Sequence, residues 1–366
     1  MSGKGLAMND VFFLEPGARG PEPCDGRPRA VSQLFCGFVA GTLALAFCAA
    51  APRAQAQASL PPAVEQHLAA AKLAAGTEHA GLFEAVCGTA RAVVAQASKP
   101  TAAAPGPSVG TPPPAPPRET WHAEPVKVFD NMYFVGMTEY SAWAITTSQG
   151  IILLDAIYDY SVEDEVVGGL KKLGLDPAQI KYVVVSHGHL DHAGGAKFLQ
   201  EKYGSRLVMT AADYDLMDRN NSSWKPKRDI VATDGYTLTL GDTTLTLYIT
   251  PGHTEGTISS IIPVRDGGTP HVAAAWGGTL FNFGPIKPRL ASYAASADRF
   301  KGIAAAARAD IILSNHTVYD GSKTKLPAMQ ARKPGQAHPY VVGPDSVARY
   351  LTVVGECARA ASAGVP

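Results

Sequence analysis

Tyr182-Val183-Val184-Val185-Ser186-His187-Gly188-His189-Leu190-Asp191-His192-Ala193-Gly194-Gly195 runs from an unbroken apolar stretch straight into three imidazoles and a carboxylate. The apolar part suits a strand buried on both faces. Residues 193–203 then carry a helical pattern that stops at Gly204, and Arg206 to Met209 read as the next strand. Neutral imidazole nitrogen and carboxylate oxygen are good zinc ligands, and a loop leaving a strand end aims alternate side chains to one side. His187 and His189 thus reach one ion while Asp191 and His192 turn toward a second. Two more histidines follow strand-like runs, His253 in Thr250-Pro251-Gly252-His253-Thr254 and His316 in Ser314-Asn315-His316-Thr317. Together these six donors supply three ligands for each of two zinc ions and leave positions open for water and substrate, as catalysis requires. His67, His79, His122, His271 and His338 stand alone and are read as ordinary packing or loop residues.

Upstream, short β runs are expected at Val126 to Val135, Ala142 to Thr147 and Ile151 to Leu154, followed by a helix from Val162 to Leu173. Ser161 is placed to cap that helix, with Asp164 at its third position and Gly174 at its end. Downstream, Tyr236 to Leu240 and Thr243 to Thr250 alternate with period two around Gly241-Asp242, a hairpin signal. Further strands are expected at Thr257 to Val264, His271 to Trp276 and Ile311 to Ser314, with an Ala-rich helix over Ala297 to Arg308. Two β blocks, each with helices, imply a layered α/β sandwich.

The 366 residues balance 32 Lys+Arg against 32 Asp+Glu, so there is no bulk positive charge to hold a nucleic-acid backbone. A 46% hydrophobic share with 17% charged residues is ample for a large core. Arg27 and Arg29 precede an apolar run from Leu34 to Ala51, and Ala54-Gln55-Ala56 and Ala56-Gln57-Ala58 offer small-x-small cleavage sites. Residues 1–58 therefore read as a signal peptide and leader, with an uncleaved membrane anchor as the alternative, and the mature protein is expected in the periplasm or secreted, without a stable membrane anchor. Residues 59–98 read as a short segment of two helices, 99–119 as a Pro/Ala-rich linker and 120–366 as the catalytic domain with a C-terminal helix. Cleavage would leave Cys87 and Cys357 alone. In an oxidising compartment they are expected to form a disulfide tying the helical segment to the C-terminal helix, the alternative being two buried free thiols.

From about Trp121 to Tyr319 the sequence resembles the metallo-β-lactamase superfamily. His187-Gly188-His189-Leu190-Asp191-His192 fits its His-x-His-x-Asp-His signature, and the segments around His253 and His316 fit its later histidine motifs. The resemblance implies a four-layer αββα sandwich with two Zn²⁺ ions per chain at one edge, His187, His189 and His253 on one ion and Asp191, His192 and His316 on the other. It also implies that Asp155 supports the ligand loop from behind. Many hydrolases of this superfamily carry a bridging aspartate where this chain reads Trp276-Gly277-Gly278-Thr279-Leu280, and Gly278 cannot bridge metals. The pattern is similar to the third subclass of metallo-β-lactamases, except that Phe281 stands where a carboxylate-binding hydroxyl is often found. What this implies is an exported zinc hydrolase of small molecules that opens β-lactam rings through zinc-activated water oriented by Asp191. The alternative is a lactonase or esterase acting on cyclic esters such as acyl-homoserine lactones. An iron-containing redox enzyme is a further class, whose diiron flavoprotein version is disfavoured by His189, and a non-catalytic scaffold is disfavoured by the complete ligand set. Tyr158, Tyr214, Trp224, Asn282 and Tyr319 are candidate pocket residues.

Overall fold

The computed structural model describes residues 60–98, 115–219, 223–281 and 283–366. The leader, the body of the Pro/Ala-rich stretch and Asn282 therefore lie outside the described residues. The first sheet holds β1 (Val126–Phe129), β2 (Met132–Phe134), β3 (Trp143–Thr147), β4 (Gly150–Leu154), β5 (Ile180–Val184), β6 (Arg206–Met209) and β7 (Ile230–Val231), in that order across it. β1 to β4 are antiparallel and β4 to β7 parallel, with α3 (Gly168–Lys172), α4 (Leu190–Ala193), α5 (Ala196–Tyr203) and α6 (Ala211–Arg219) in the crossovers. The second sheet runs β12 (Ile311–Ser314), β11 (Thr269–Trp276), β10 (Ile258–Asp266), β9 (Thr243–Ile249), β8 (Tyr236–Leu240), antiparallel except for the β11–β12 pair, which α7 (Lys287–Ala306) connects. α8 (Ser322–Ala331) and α9 (Pro344–Ala363) follow, and α1 (Pro62–Ala75) and α2 (Ala80–Ala97) precede the sheets in sequence.

Side-chain alternation builds the layers. Ile152 and Leu154 share a cluster with Val184, Ile258, Ile262 and Leu313 between the sheets, whereas Ile151, Leu153, Val183 and Val185 point the other way, onto Val166, Leu170, Leu199 and Met217. On β12, Ile311 and Leu313 face inward, while Ile312 joins Ala274 and Trp276 beneath α7 and α9. A period of two with both faces apolar is what makes the continuous Val/Ile/Leu runs read as doubly buried strands. Helix, sheet, sheet, helix is the expected αββα architecture.

Several local expectations change. The run from Val126 to Val135 is broken into two strands by the Asp130-Asn131 turn, where the Asn131 side chain accepts from the Arg265 N–H (3.1 Å). The helix expected from Val162 opens with a wide i→i+5 turn over Glu163–Val167, and Ser161 does not cap it: its hydroxyl is buried against Met137 and the Tyr158 carbonyl. α7 starts at Lys287 rather than near Ala297, with Pro288 in its first turn, where a missing N–H costs nothing. α6 and α8 were not anticipated. Residues 116–119, assigned to the linker, are tied to the fold, since Trp121 Nε1 donates to the Pro116 carbonyl (2.9 Å) and Arg118 Nε to Asp164 (3.1 Å).

The helical segment before the linker is part of the outer layer. Val64, Leu68, Val86 and Val93 lie in one core with Phe300 of α7 and Val347, Leu351 and Val354 of α9. The Cys87–Cys357 disulfide joins α2 to α9, as the cysteine arithmetic anticipated. No helix among the described residues is long and apolar enough to cross a membrane. Because the disulfide closes a loop across 270 residues of sequence, the Cys87→Ala/Cys357→Ala double variant should lose about 3 kcal/mol of stability. Thermal unfolding of both proteins checks this, and an unchanged Tm would show that the bond constrains nothing.

Candidate metal centre

Five strand ends converge at one edge of the sandwich. β4 delivers Asp155, β5 the Ser186–His192 loop, β9 the Thr250–His253 turn, β11 Gly277 and Gly278, and β12 Asn315 and His316. Two groups of side chains come close enough to hold an ion: His187, His189 and His253, and His187, Asp191 and His192, with all donor atoms of each group within 4.8 Å of one another. His316 reaches the second group through His192 Nε2 (3.3 Å) and Asp191 Oδ2 (3.6 Å).

The donor chemistry fits a cation. His187 Nδ1 lies 2.8 Å from the Gly277 carbonyl, and His253 Nδ1 is hydrogen-bonded to the Leu280 carbonyl. A carbonyl only accepts, so each Nδ1 carries the proton and each Nε2 presents a lone pair. Those two Nε2 atoms are 3.0 Å apart, and His189 Nδ1 is 3.1 Å from His253 Nε2. Facing lone pairs repel unless a positive ion lies among them. Burial, reinforced by its imidazole neighbours, holds His187 well below the ordinary histidine value, and burial with His189 or His192 beside them pushes His253 and His316 down to about 3. These rings are thus neutral, the form that ligates. For His192 burial opposes the charge, but Asp191 and Asp155 outweigh it and push the ring up to about 10, so a cation at its Nε2 displaces a proton.

A framework of hydrogen bonds holds the donors. Asp155 accepts from the Ser186 N–H (2.7 Å), the Ser186 hydroxyl (3.0 Å) and His192 Nδ1 (3.0 Å). It does so from a left-handed backbone, φ 58°, two residues before Ile157 at φ 50°. For a β-branched residue such a conformation is strained and persists only where the surroundings enforce it. Here the Ala156 N–H donates to the His192 carbonyl and the Ile157 carbonyl accepts from Gly195.

Asp213, which sequence reasoning missed, is buried at the start of α6 and accepts from the Gly188 N–H (3.1 Å), the Gly256 N–H (3.3 Å) and the Thr254 hydroxyl (2.8 Å). It thereby joins the first ligand loop to the His253 turn. α7 grips the same turn: Arg289 donates to the Gly252 and His253 carbonyls, Ser296 to Pro251 (2.7 Å) and Arg299 to Ile249 (2.9 Å), while Tyr293 donates to Thr279 (2.6 Å). Spacings of three and four residues place these donors on one helix face.

The remaining pocket candidates divide. Tyr158 and Tyr319 line the Asp191 side, where the unanticipated Tyr140 has its ring 5.0 Å from His316 and 5.1 Å from Tyr158. Tyr214 is buried and donates to the Leu207 carbonyl (3.1 Å), so it is structural, and Trp224 packs on the outer core of the first sheet. Phe281 is fully buried against Tyr293, and Thr279 bonds Ser314 (2.9 Å), so neither lines the site. The five lone histidines are bonded within the fold, to Glu356, Ser346, Glu165, Asp310 and the Val128 carbonyl respectively.

A model of the metallo-β-lactamase superfamily matches residues 136–266. Among curated proteins, the hydroxyacylglutathione hydrolase of Acidiphilium cryptum is 31% identical over 106 residues, 29% of this chain and 37% of that protein. An N-acyl homoserine lactonase of a Bacillus species is 31% identical over 111 residues, 29% of this chain and 42% of the lactonase. The chain thus spans less than half the length of these relatives. Among solved structures, the subclass B3 metallo-β-lactamase BJP-1 of Bradyrhizobium japonicum superposes with a TM-score of 0.56 at 28% identity, over 64% of this chain and 91% of that one. The metallo-β-lactamase of Cronobacter sakazakii gives 0.54 at 28%, over 64% and 92%.

Gly278 has no room for a side chain: a Cβ there would lie 2.5 Å from His253 Cβ and 2.7 Å from its Cγ. Gly278→Ala should therefore fold, yet push His253 off its carbonyl anchor and lower metal affinity by roughly 10–100-fold. Metal titration alongside circular dichroism reads this, and wild-type affinity in a folded variant would mean that His253 is no ligand.

Proposed function

We propose that this chain, which has the fold of the metallo-β-lactamase superfamily, is a zinc-dependent hydrolase that opens small cyclic esters, with acyl-substituted lactones as the substrate class. The observation that supports it most is the pair of donor groups sharing one open edge, with the lone pairs of neutral imidazoles directed at each other. His187, His189 and His253 would hold one Zn²⁺, and Asp191, His192 and His316 the other. Bound there, the metals supply activated water at neutral pH and polarise the substrate carbonyl.

The chain's own residues do the rest. The Gly277 and Leu280 carbonyls and Asp155 orient three of the imidazoles through their Nδ1 atoms. Asp191, held well below the usual carboxylate range because His192 outweighs its burial, stays ionised to orient the attacking water. Tyr158 donates to the Tyr140 hydroxyl (3.2 Å), which leaves the Tyr140 hydrogen free for a substrate oxygen. The half-buried rings of Tyr140, Tyr158 and Tyr319 offer an acyl chain an apolar wall.

The curated N-acyl homoserine lactonase and hydroxyacylglutathione hydrolase relatives support the ester reading. A second reading, hydrolysis of β-lactams, is favoured by Gly278. With no carboxylate side chain at that position, ions held here would remain stronger Lewis acids toward a departing amide nitrogen. The likeness to the subclass B3 enzyme BJP-1 at 28% identity supports it too.

With the zinc-loaded mature protein, kcat/KM for an acyl-homoserine lactone should exceed that for a penicillin, a cephalosporin and a carbapenem by about tenfold or more, a barrier difference of about 1.4 kcal/mol. The reverse order transfers the assignment to the β-lactam reading, and turnover of none of these substrates or of an aryl ester removes the hydrolase.

Asp191→Asn should retain the fold and cut turnover by about 100-fold or more, because a neutral amide is a poor ligand and cannot orient the water. His316→Ala should lower zinc content toward one ion per chain; two tightly held ions in that variant would take His316 out of the site.

A further inference from the structure

Behind the ligand loops, between the two sheets, lies a small cavity of about 30 Å³ whose lining includes Ser141, Trp143, Asp155, Ser186, Ser314 and Asn315. Three polar atoms in that lining, Ser141 Oγ, Trp143 Nε1 and Asn315 Oδ1, are buried without a hydrogen-bond partner among the described residues. The side chains that carry them are 1%, 3% and 7% exposed. The orientation of the Asn315 amide is fixed from its other end. Its Nδ2 donates to the Gly277 carbonyl (2.8 Å) and the Ser186 hydroxyl (3.3 Å), and a flipped amide would set oxygen against that carbonyl. Asn315 Oδ1 is therefore the unpaired end of an amide that lines the cavity.

We infer that this cavity is a binding site for internal water, one molecule or at most two. The lining itself selects the ligand. The indole N–H can only donate and the amide oxygen can only accept, so the occupant must accept one hydrogen bond and donate another, which a metal cation or a halide cannot do. The volume exceeds the 10–15 Å³ or so that one water needs, and three partners match the two to four that buried waters make. An apolar occupant would leave all three groups unpaired.

The site also has a function. Asn315 Nδ2 and His187 Nδ1 share the Gly277 carbonyl. Water bonded to Asn315 Oδ1 therefore holds the amide that holds the carbonyl that sets the His187 tautomer. Asn315, Trp143 and Ser141 are positioning residues acting on His187 through this water.

The test is solution NMR of the ¹⁵N-labelled mature protein, with the Trp143 indole resonance assigned by its loss in Trp143→Phe. A long-lived water should give a cross-relaxation peak to the Trp143 Nε1–H, whereas an indole in a dry cavity gives none, and that result overturns the proposal. A high-resolution crystal structure provides the second measurement: ordered density within hydrogen-bond reach of all three atoms is expected, and an empty or collapsed cavity refutes it. In the Ser141→Ala/Trp143→Phe variant, zinc affinity should fall about tenfold with the fold retained; unchanged affinity would remove the positioning role. None of these readouts depends on which substrate the enzyme turns over.

Discussion

Two imidazole nitrogens in this protein, His187 Nε2 and His253 Nε2, carry lone pairs that point at one another, and the rest of the architecture follows from how that arrangement is enforced. Neutral histidine exchanges tautomers freely in water, so a ligand set made of histidines is disordered until each Nδ1–H has a fixed acceptor. The fold supplies a backbone carbonyl for His187, another for His253 and the Asp155 carboxylate for His192. Each acceptor comes from a different strand end than the histidine it holds. The site is consequently a property of the stacked sheets rather than of any one loop.

That requirement explains where the backbone departs from ordinary geometry. Asp155 and Ile157 adopt left-handed conformations at a cost of about 1–3 kcal/mol each, and the return is a carboxylate aimed at both Ser186 and His192. Gly252 sits at φ 144° with Tyr293 only 2.5 Å from where its Cβ would be, and Gly277 would drive a Cβ into the Ile258 carbonyl. These glycines are set by close approach between layers: the His253 turn has to pass beneath α7, and the β11 exit has to pass over β10. Gly278, read in the sequence as the loss of a bridging carboxylate, has the same steric origin, because His253 occupies the space a side chain would need.

The histidine loop was legible because its candidate donors lie within six residues and follow an apolar run, so composition and order alone reveal it. The two sheets were legible for the same reason, through period-two alternation. The framework around the donors was not. Asp213 looks like any helical aspartate until α6 folds beside two loops distant in sequence, and the carbonyls of Gly277 and Leu280 carry no side-chain signal at all. Phe281 shows the opposite failure. Counting residues from a motif put it in the pocket, whereas its ring is buried beneath Tyr293, since an aromatic residue next to an apolar helical layer gains more from burial there.

The helices before the linker then acquire a physical role. α7 touches the His253 turn through three donor side chains on one face, and its small residues on another face let α9 approach closely: a Cβ on Gly355 would lie 3.3 Å from Ala297 Cβ. The alanines at this contact bury little apolar area each, so the position of α7 gains from support beyond it. α1 and α2 give that support by extending the core over α9, and the Cys87–Cys357 bond fixes α2 to α9 across the whole length of the domain. The line of constraint runs from disulfide to α9, from α9 to α7, and from α7 to the carbonyls of Ile249, Pro251, Gly252 and His253. A segment that contributes no donor to the site thus shares in holding the His253 turn still.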